Sequence, residues 1–574
     1  MSSPEPAPKE ATPLRRQAGW NQFRLLIAAF FTSESGRRRA GSWLALLLVL
    51  CFAVAGVQVL ISYAGRDFMS AIADRNEKTY ARALIRYLAT FALAVPIGVF
   101  YRYAEQRLGL LWRQWLTQHL IRRYFYNRAY YRLRGSDTID NPDQRISEDV
   151  KNFTTSTLSF LLIALNSLLT LIAFIGVLWS ISSMLVVVLF GYAFVGTLGS
   201  LLIGRRLVGL YYDQYQREAD FRHGLIRVQD NAESIAFYRG EKREHRDLLM
   251  RLGSALDNTF SIIGWNRNLA FFTNSYNYAA LVLPVVVVAP LFMQHKVDFG
   301  VVSQAVGAFG QVLAALSLII TQFEVLSAFS AGVARLGALW GYLDDFDAEE
   351  AVEAANSKID VEEARRLKLE DLTVRTPDGG KVLVKKLSLA LKPGQSILLM
   401  GESGTGKSSL LRTIAGLWQS GEGSIARPPL KDMIFLPQRP YMIPGSLREQ
   451  LLYPAAEGRI DDAALEKVMK QVNLKDIVDR VDGDFDAVMD WTNVLSLGEQ
   501  QRLSFARLLL RDPVVAFLDE ATSALDEPNE RRLYEELRKT RCAYISVGHR
   551  GTLKEYHEFL LELKPGGKSV MTKM

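Results

Sequence analysis

The stretch Ser396-Ile397-Leu398-Leu399-Met400-Gly401-Glu402-Ser403-Gly404-Thr405-Gly406-Lys407-Ser408, continuing as Ser409-Leu410-Leu411-Arg412-Thr413-Ile414-Ala415, decides the reading of the carboxy-terminal half. A short apolar strand runs directly into Gly-x-x-x-x-Gly-Lys-Ser, and a helical pattern follows. In that setting the glycines let backbone N–H groups wrap phosphate oxygens at a helix N-terminus. Lys407 reaches the β- and γ-oxygens, and the Ser408 hydroxyl binds Mg²⁺. The expected nucleotide contacts are Gly401, Glu402, Ser403, Gly404, Thr405, Gly406, Lys407, Ser408 and Ser409. The eight-residue pattern alone occurs by chance; the strand before it and the helix after it make it specific. A second apolar strand, Val514-Val515-Ala516-Phe517-Leu518, ends in Asp519-Glu520. There the aspartate is placed to hold Mg²⁺ through its water shell and the glutamate to polarise an attacking water.

Working outward, the rest of the chain is of another kind. At 574 residues it exceeds one ordinary core, and its mean hydropathy of +0.06 averages two unlike halves. Up to about Phe329 long uncharged runs dominate; from about Lys358 charge is mixed and Gly and Pro mark turns. Six runs are long and apolar enough to cross a bilayer: Trp43–Ala64, Ala83–Tyr103, Thr157–Trp179, Ile181–Gly204, Leu269–Met293 and Val301–Phe323. The expected organisation is a disordered N-terminus (1–19), a membrane domain (20–345), a linker (346–364) and a soluble α/β P-loop ATPase domain (365–574).

The net charge of +7 and pI near 9.1 do not point to nucleic acid, because the arginines gather between particular spans, from Arg107 to Lys151 and from Arg205 to Arg251. By contrast the third and fourth spans are joined by a few uncharged residues and the fifth and sixth by a connection whose only basic residue is Lys296, so both termini and the two long loops are expected on the cytoplasmic side. Apolar stripes such as Leu108, Leu111, Trp112, Trp115, Leu116 and Leu120 predict that these loops continue the spans as helices. Residues Trp20 to Phe31 have helical apolar spacing, which suits either a helix lying in the membrane interface or one packed on the protein. No cleavable signal is expected, since the first apolar run is too long for one. Cys51 and Cys542 show neither metal spacing nor a disulfide framework.

Leu495-Ser496-Leu497-Gly498-Glu499-Gln500-Gln501-Arg502 resembles the signature sequence of ABC transporter ATPases. The remaining parts occur in that family's order: Gln438 within Phe435–Pro440, Ser523-Ala524-Leu525-Asp526 after the acidic pair, and His549 after Ser546-Val547-Gly548. The resemblance implies that Glu520, His549 and Gln438 serve hydrolysis and that Ser408, Gln438 and Asp519 hold Mg²⁺. It also implies that Ser496, Gly498 and Asp526 contribute to an ATP site across a homodimer. With one phosphate loop and one signature, the chain reads as a half-transporter of the exporter-type fold, six helices per subunit. Two positions depart from the pattern: Leu497 replaces a glycine, and no adenine-stacking aromatic lies around Thr376–Gly379.

Asp490–Arg502, Asn141–Val150, Glu218–Arg222 and Asn231–Tyr238 further resemble the SbmA/BacA-related bacterial transporters with a fused ATPase, whose relatives include peroxisomal fatty-acyl transporters. That resemblance implies an inner-membrane protein moving peptides or other hydrophilic solutes such as cobalamin, with uptake the expected direction. The loop motifs would relay ATPase closure to the membrane helices. Acyl-CoA transport, export on the same fold, and a nucleotide-regulated receptor stay open as alternatives. Polar groups in the spans, Asn166, Ser167, Thr170, Asn274, Tyr276, Asn277, Tyr278, Gln311, Thr321 and Gln322, either bond between helices or line a wet cavity. Glu324 is an acid near a span's end.

Overall fold

A computed structural model describes residues 13–133, 139, 141–321, 329, 332–344, 358–376, 380–455 and 460–574. The chain divides into two compact units after Phe346.

The first unit is helical. Its elements are α1 (Pro13–Thr32), α2 (Glu34–Ala73), α3 (Glu77–Phe125), α4 (Val150–Ile181), α5 (Ser183–Asp230), α6 (Glu241–Met293) and α7 (Phe299–Thr321). Six of them, α2 to α7, are long and apolar enough to cross a membrane. The predicted spans are the apolar middles of longer helices, because the expected helical loops are continuous with them. One boundary shifts: the fourth span starts at Ser183, since Ser182 is extended and cannot continue α4. The end of the sixth span, with Gln322, Phe323 and Glu324, lies outside the described residues.

Helix α1 begins at Pro13, so residues 13–19, expected to be disordered, are helical. Its apolar face packs on the protein rather than lying free in the interface. Leu26 and Phe30 are buried, with the Phe30 ring stacked 5.6 Å from that of Trp112 and Phe23 edge-on to Phe153 at 6.1 Å. Close helix contacts need small residues. A Cβ at Gly196 or Gly199 would overlap Tyr276 or Phe272 at about 2.2–2.3 Å, so α5 and α6 approach through this glycine pair. There Tyr192 and Tyr276 stack at 4.2 Å, and each hydroxyl donates to the other's backbone carbonyl. Tyr276 is thus an interhelical bond and not a cavity group. Helix α7 is tied to α2 by Gln304 Nε2 donating to Ser62 Oγ (3.3 Å) and Gly300 N–H donating to Ser70 Oγ (3.1 Å).

The Asn141–Val150 motif forms one helical turn, Pro142–Gln144, and a widened π turn, Arg145–Asp149. Both its charged ends grip the helical stretch 332–344 that follows the last span. Arg145 donates to the Arg335 carbonyl at 2.8 Å, and the Arg335 guanidinium forks onto Asp149 at 2.8 and 2.6 Å. Asp149 is 3% exposed.

The second unit holds two large sheets and one short antiparallel pairing of Gly445–Ser446 with Val488–Met489. Strands β1 (Lys358–Glu363), β5 (Gly421–Arg427), β2 (Lys368–Arg375) and β3 (Val382–Ala390) lie side by side in that order. Because β1 pairs with β5 over its whole length, 358–363 belongs to the ATPase sheet and not to the expected linker. The main sheet has the order β10 (Ser569–Lys573), β9 (Phe559–Leu563), β4 (Ser396–Gly401), β8 (Ala543–Val547), β7 (Val515–Asp519) and β6 (Met433–Leu436), parallel except for β9 with β10. Its inner strands are buried on both faces, which is why they read as unbroken apolar runs.

Candidate nucleotide site

Parallel strands deliver their C-terminal ends to one edge, and four of them end in a motif. Strand β4 runs into the phosphate loop and β7 into Asp519-Glu520; β8 precedes Gly548-His549, and β6 precedes Gln438. Register sharpens this: Val547 lies level with both Asp519 and Leu399. The arrangement places the site at the carboxyl ends of the sheet, where open α/β sheets bind ligands.

The loop is a backbone cradle. Gly404 and Gly406 have φ of +81° and +98°, and a Cβ on Gly406 would sit 2.8 Å from Leu383. A Cβ on Gly401 would lie 2.4 Å from the Leu563 carbonyl oxygen. Gly406 caps helix α8 (Lys407–Ile414). Thr405 donates its hydroxyl to the Glu402 carbonyl at 2.8 Å and so closes the loop on itself. Ser403 is exposed on the rim, and the Ser409 carbonyl accepts from Thr413 within α8. Buried Lys407 donates Nζ to the Gly401 and Glu402 carbonyls at 2.7 and 2.9 Å. Burial lowers its pKa, opposed by the charges of Glu520 and Asp519.

Ser408 Oγ donates to Asp519 Oδ1 at 3.3 Å. Burial pushes the Asp519 carboxyl up, with the Ser408 bond opposing. A desolvated carboxylate beside a hydroxyl at the mouth of a phosphate cradle suits a hard cation. Among the described residues no group of three His, Cys, Asp or Glu could cage a metal. The Ser408 and Asp519 oxygens fit Mg²⁺, which commonly takes one or two protein ligands and keeps waters and phosphate oxygens as the rest.

Glu520 sits at φ +50°, a left-handed conformation that costs a non-glycine residue about 1–3 kcal/mol and turns its side chain out of the strand line. One carboxylate oxygen accepts Gln438 Nε2 at 2.8 Å; the other lies 3.5 Å from His549 Nε2. The three expected hydrolytic residues are therefore brought together.

The signature forms the start of α9 (Leu497–Arg511), with Ser496 as its N-cap. Ser496 and Glu499 form a reciprocal capping box. Burial would raise the Glu499 pKa, but the Ser496 bonds and the Arg480 guanidinium outweigh it and hold the carboxyl below its usual range. A Cβ on Gly498 would lie 3.2 Å from the Ala524 carbonyl oxygen, so the helix start abuts the segment after the acidic pair. Asp526 caps α10 (Glu527–Arg538), accepting from Asn529 N–H at 3.2 Å.

Three supporting residues escaped sequence reasoning. Buried Gln501 bonds Gln438, Ser523 and Ala524. Arg550 donates to the Leu525 and Ser523 carbonyls at 2.7 and 2.9 Å. Buried Arg507 pins the segment after Gln438 through the Tyr441 and Gln450 carbonyls at 2.8 and 2.6 Å. Their signal in the sequence was only proximity to a motif.

Residues 26–293 match the family described as ABC transporter transmembrane region 2, and residues 384–523 the family described as ABC transporter. An uncharacterized ABC transporter ATP-binding protein of Synechocystis is 45% identical over 95% of this chain and 84% of its own. The chain belongs to the ABC transporters. It is a half-transporter, with one membrane domain and one ATPase domain fused. ABC transporter D family member 2, chloroplastic, of Arabidopsis thaliana is 38% identical to the transporter over 98% of it and 88% of that protein. The human lysosomal cobalamin transporter ABCD4 is 35% identical over 80% and 81%. The fold of a bacterial Atm1-family ABC exporter with ATP bound matches it with a TM-score of 0.69 over 93% of this chain and 96% of that one, at 17% identity. The expected six-helix, exporter-type fold with an α/β ATPase domain is borne out, as is ATP hydrolysis coupled to transport.

Proposed function

We propose that two copies of this transporter clamp two ATP molecules and use their hydrolysis to move a hydrophilic solute, a peptide or a cobalamin-like compound, inward across a bacterial inner membrane. In this reading it is of the SbmA/BacA-related kind, and both termini are cytoplasmic. The observation that carries the hydrolytic part is the Glu520 carboxylate held between Gln438 and His549, beside the Ser408–Asp519 pair and the glycine cradle.

The residues divide the work. Gly401 to Ser409 and Lys407 bind the triphosphate, and the Lys407 ammonium, already poised over the loop, exchanges carbonyl partners for phosphate oxygens. Ser408, Asp519 and the side-chain amide oxygen of Gln438 would hold Mg²⁺, which neutralises charge on the β- and γ-phosphates when bound. Glu520 orients the attacking water and takes up its proton; Gln438 and His549 fix where that carboxylate points. Ser496, Gly498 and Asp526 serve the site formed with the second copy.

The cargo reading is supported by Asn274, Asn277, Tyr278 and Gln311, polar groups exposed on α6 and α7, and by the likeness to a cobalamin transporter. The decisive experiment is transport by wild type and Glu520→Gln in sealed proteoliposomes of both orientations, with peptide, cobalamin and acyl-CoA arms. Glu520→Gln should retain ATP and lose hydrolysis and transport by about a hundredfold or more. Transport undiminished in that variant would remove the pump mechanism, and stimulation by acyl-CoA alone would remove the hydrophilic cargo.

A further inference from the structure

Glu520 is held from two sides, and both holds lead to one side chain. Its carboxylate is gripped by the Gln438 amide at 2.8 Å, and its backbone carbonyl accepts the Ser523 N–H at 3.0 Å. Gln501 touches both partners. Its Nε2 donates to the Gln438 carbonyl at 2.9 Å and to Ser523 Oγ at 3.2 Å, and its Oε1 accepts the Ala524 N–H at 3.0 Å. The Gln501 side chain is itself completely buried, so its amide depends on these partners rather than on water. Gln501 rides on α9, whose N-cap is the signature serine Ser496. The same helix start abuts the Ala524 backbone at Gly498.

We propose that Gln501 is a positioning residue that carries displacement of the signature helix to Glu520 of the same chain, so that the water-orienting carboxylate is set only when the signature is engaged. The chain of contact runs from Ser496 through the first turns of α9 to Gln501, and from there by two routes to the carboxylate and the backbone of Glu520. In a two-fold dimer, where each signature faces the other copy's nucleotide, this single amide joins the two sites. The inference rests on the ATPase reading above.

The test uses the full chain reconstituted in lipid nanodiscs, with ATP turnover and binding of a fluorescent ATP analogue measured together. Gln501→Met keeps the side chain's length and removes all three bonds. It should leave nucleotide affinity within about twofold while kcat falls about tenfold or more, since small misplacements of a reacting group are that costly. Gln501→Glu keeps the Ala524 bond but sets an oxygen against the Gln438 carbonyl, and should show the same split, which guards against misfolding of the first variant. In a Gln438→Ala background, Gln501→Met should lower kcat by only about twofold more, because coupled residues are not additive. Gln471→Met, which removes a side-chain bond to Glu536 elsewhere in the domain, should keep wild-type turnover. Unchanged kcat in both Gln501 variants, parallel loss of affinity and kcat, or a full tenfold further loss in the Gln438→Ala background would overturn the proposal. Failure of the ATPase reading would show separately, as undiminished hydrolysis in Glu520→Gln.

Discussion

At the scale of single residues, the ATPase unit contains a buried titratable group that the nucleotide site does not use. His557 is 4% exposed, with Nδ1 2.7 Å from the Leu553 carbonyl oxygen and Nε2 2.8 Å from Ser546 Oγ, on the strand that leads to His549. Burial lowers its pKa from 6.5 to about 4, the Leu553 bond opposing and the Arg538 charge assisting. The unfolded chain thus takes up a proton before the folded one does. Stability attributable to this group is intact above pH 6.5, declines as pH falls, and levels off below about pH 4, a total loss of about 3 kcal/mol. Melting temperatures of the purified transporter across that range should fall with acid, and His557→Gln should flatten the fall. An identical slope in the variant would assign acid sensitivity to other groups. The Glu520→Gln prediction belongs to the same scale, since only the proton-accepting oxygen changes while the Gln438 bond can persist.

At the scale of elements, the Asp149–Arg335 fork is the contact whose loss is easiest to measure. Removing Arg335 strands a carboxylate that is 3% exposed. Because the arginine itself is half exposed, the penalty falls below that of a fully buried pair, about 1–3 kcal/mol. Arg335→Ala should lower the melting temperature of the membrane unit, followed by fluorescence of Trp115 and Trp340, and Arg335→Lys should recover part of it without the bidentate geometry. No change in Arg335→Ala would show that the motif is not braced there. This contact also marks what could be read in advance. Six spans, the helical loops, the phosphate loop and the acidic pair were legible because each rests on local periodicity or on adjacent motif residues. That Asn141–Val150 is braced against the helix after the last span was not, because the partners are 186 residues apart and no local pattern encodes such a pairing. Gln501 was hidden for the same reason: its neighbours in space lie on two other loops. The ATPase boundary was missed because β1 looks polar and linker-like by itself and becomes a strand only through its pairing with β5. The sequence left α1 undecided between lipid and protein, since an apolar stripe reports that a face is covered and not by what.

At the scale of the whole molecule, the proposed dimer makes a quantitative demand. If each ATP site combines the phosphate loop of one copy with the signature of the other, two differently disabled copies must complement. Lys407→Ala removes the ammonium held over the loop, and Ser496→Arg fills the space before α9; each should abolish hydrolysis alone. Mixed equally before reconstitution, half the particles pair unlike copies. In those, one site carries both lesions and the other carries neither, so about a quarter of wild-type sites are restored by two-fold geometry alone. Vanadate-trapped nucleotide, measured on the mixture, should rise from near nothing in each parent to about that fraction. A site built within one chain predicts no recovery at any mixing ratio. Together with the Gln501 variants this separates two questions: complementation asks where the signature acts, and the split between affinity and turnover asks how its engagement reaches the glutamate that orients water.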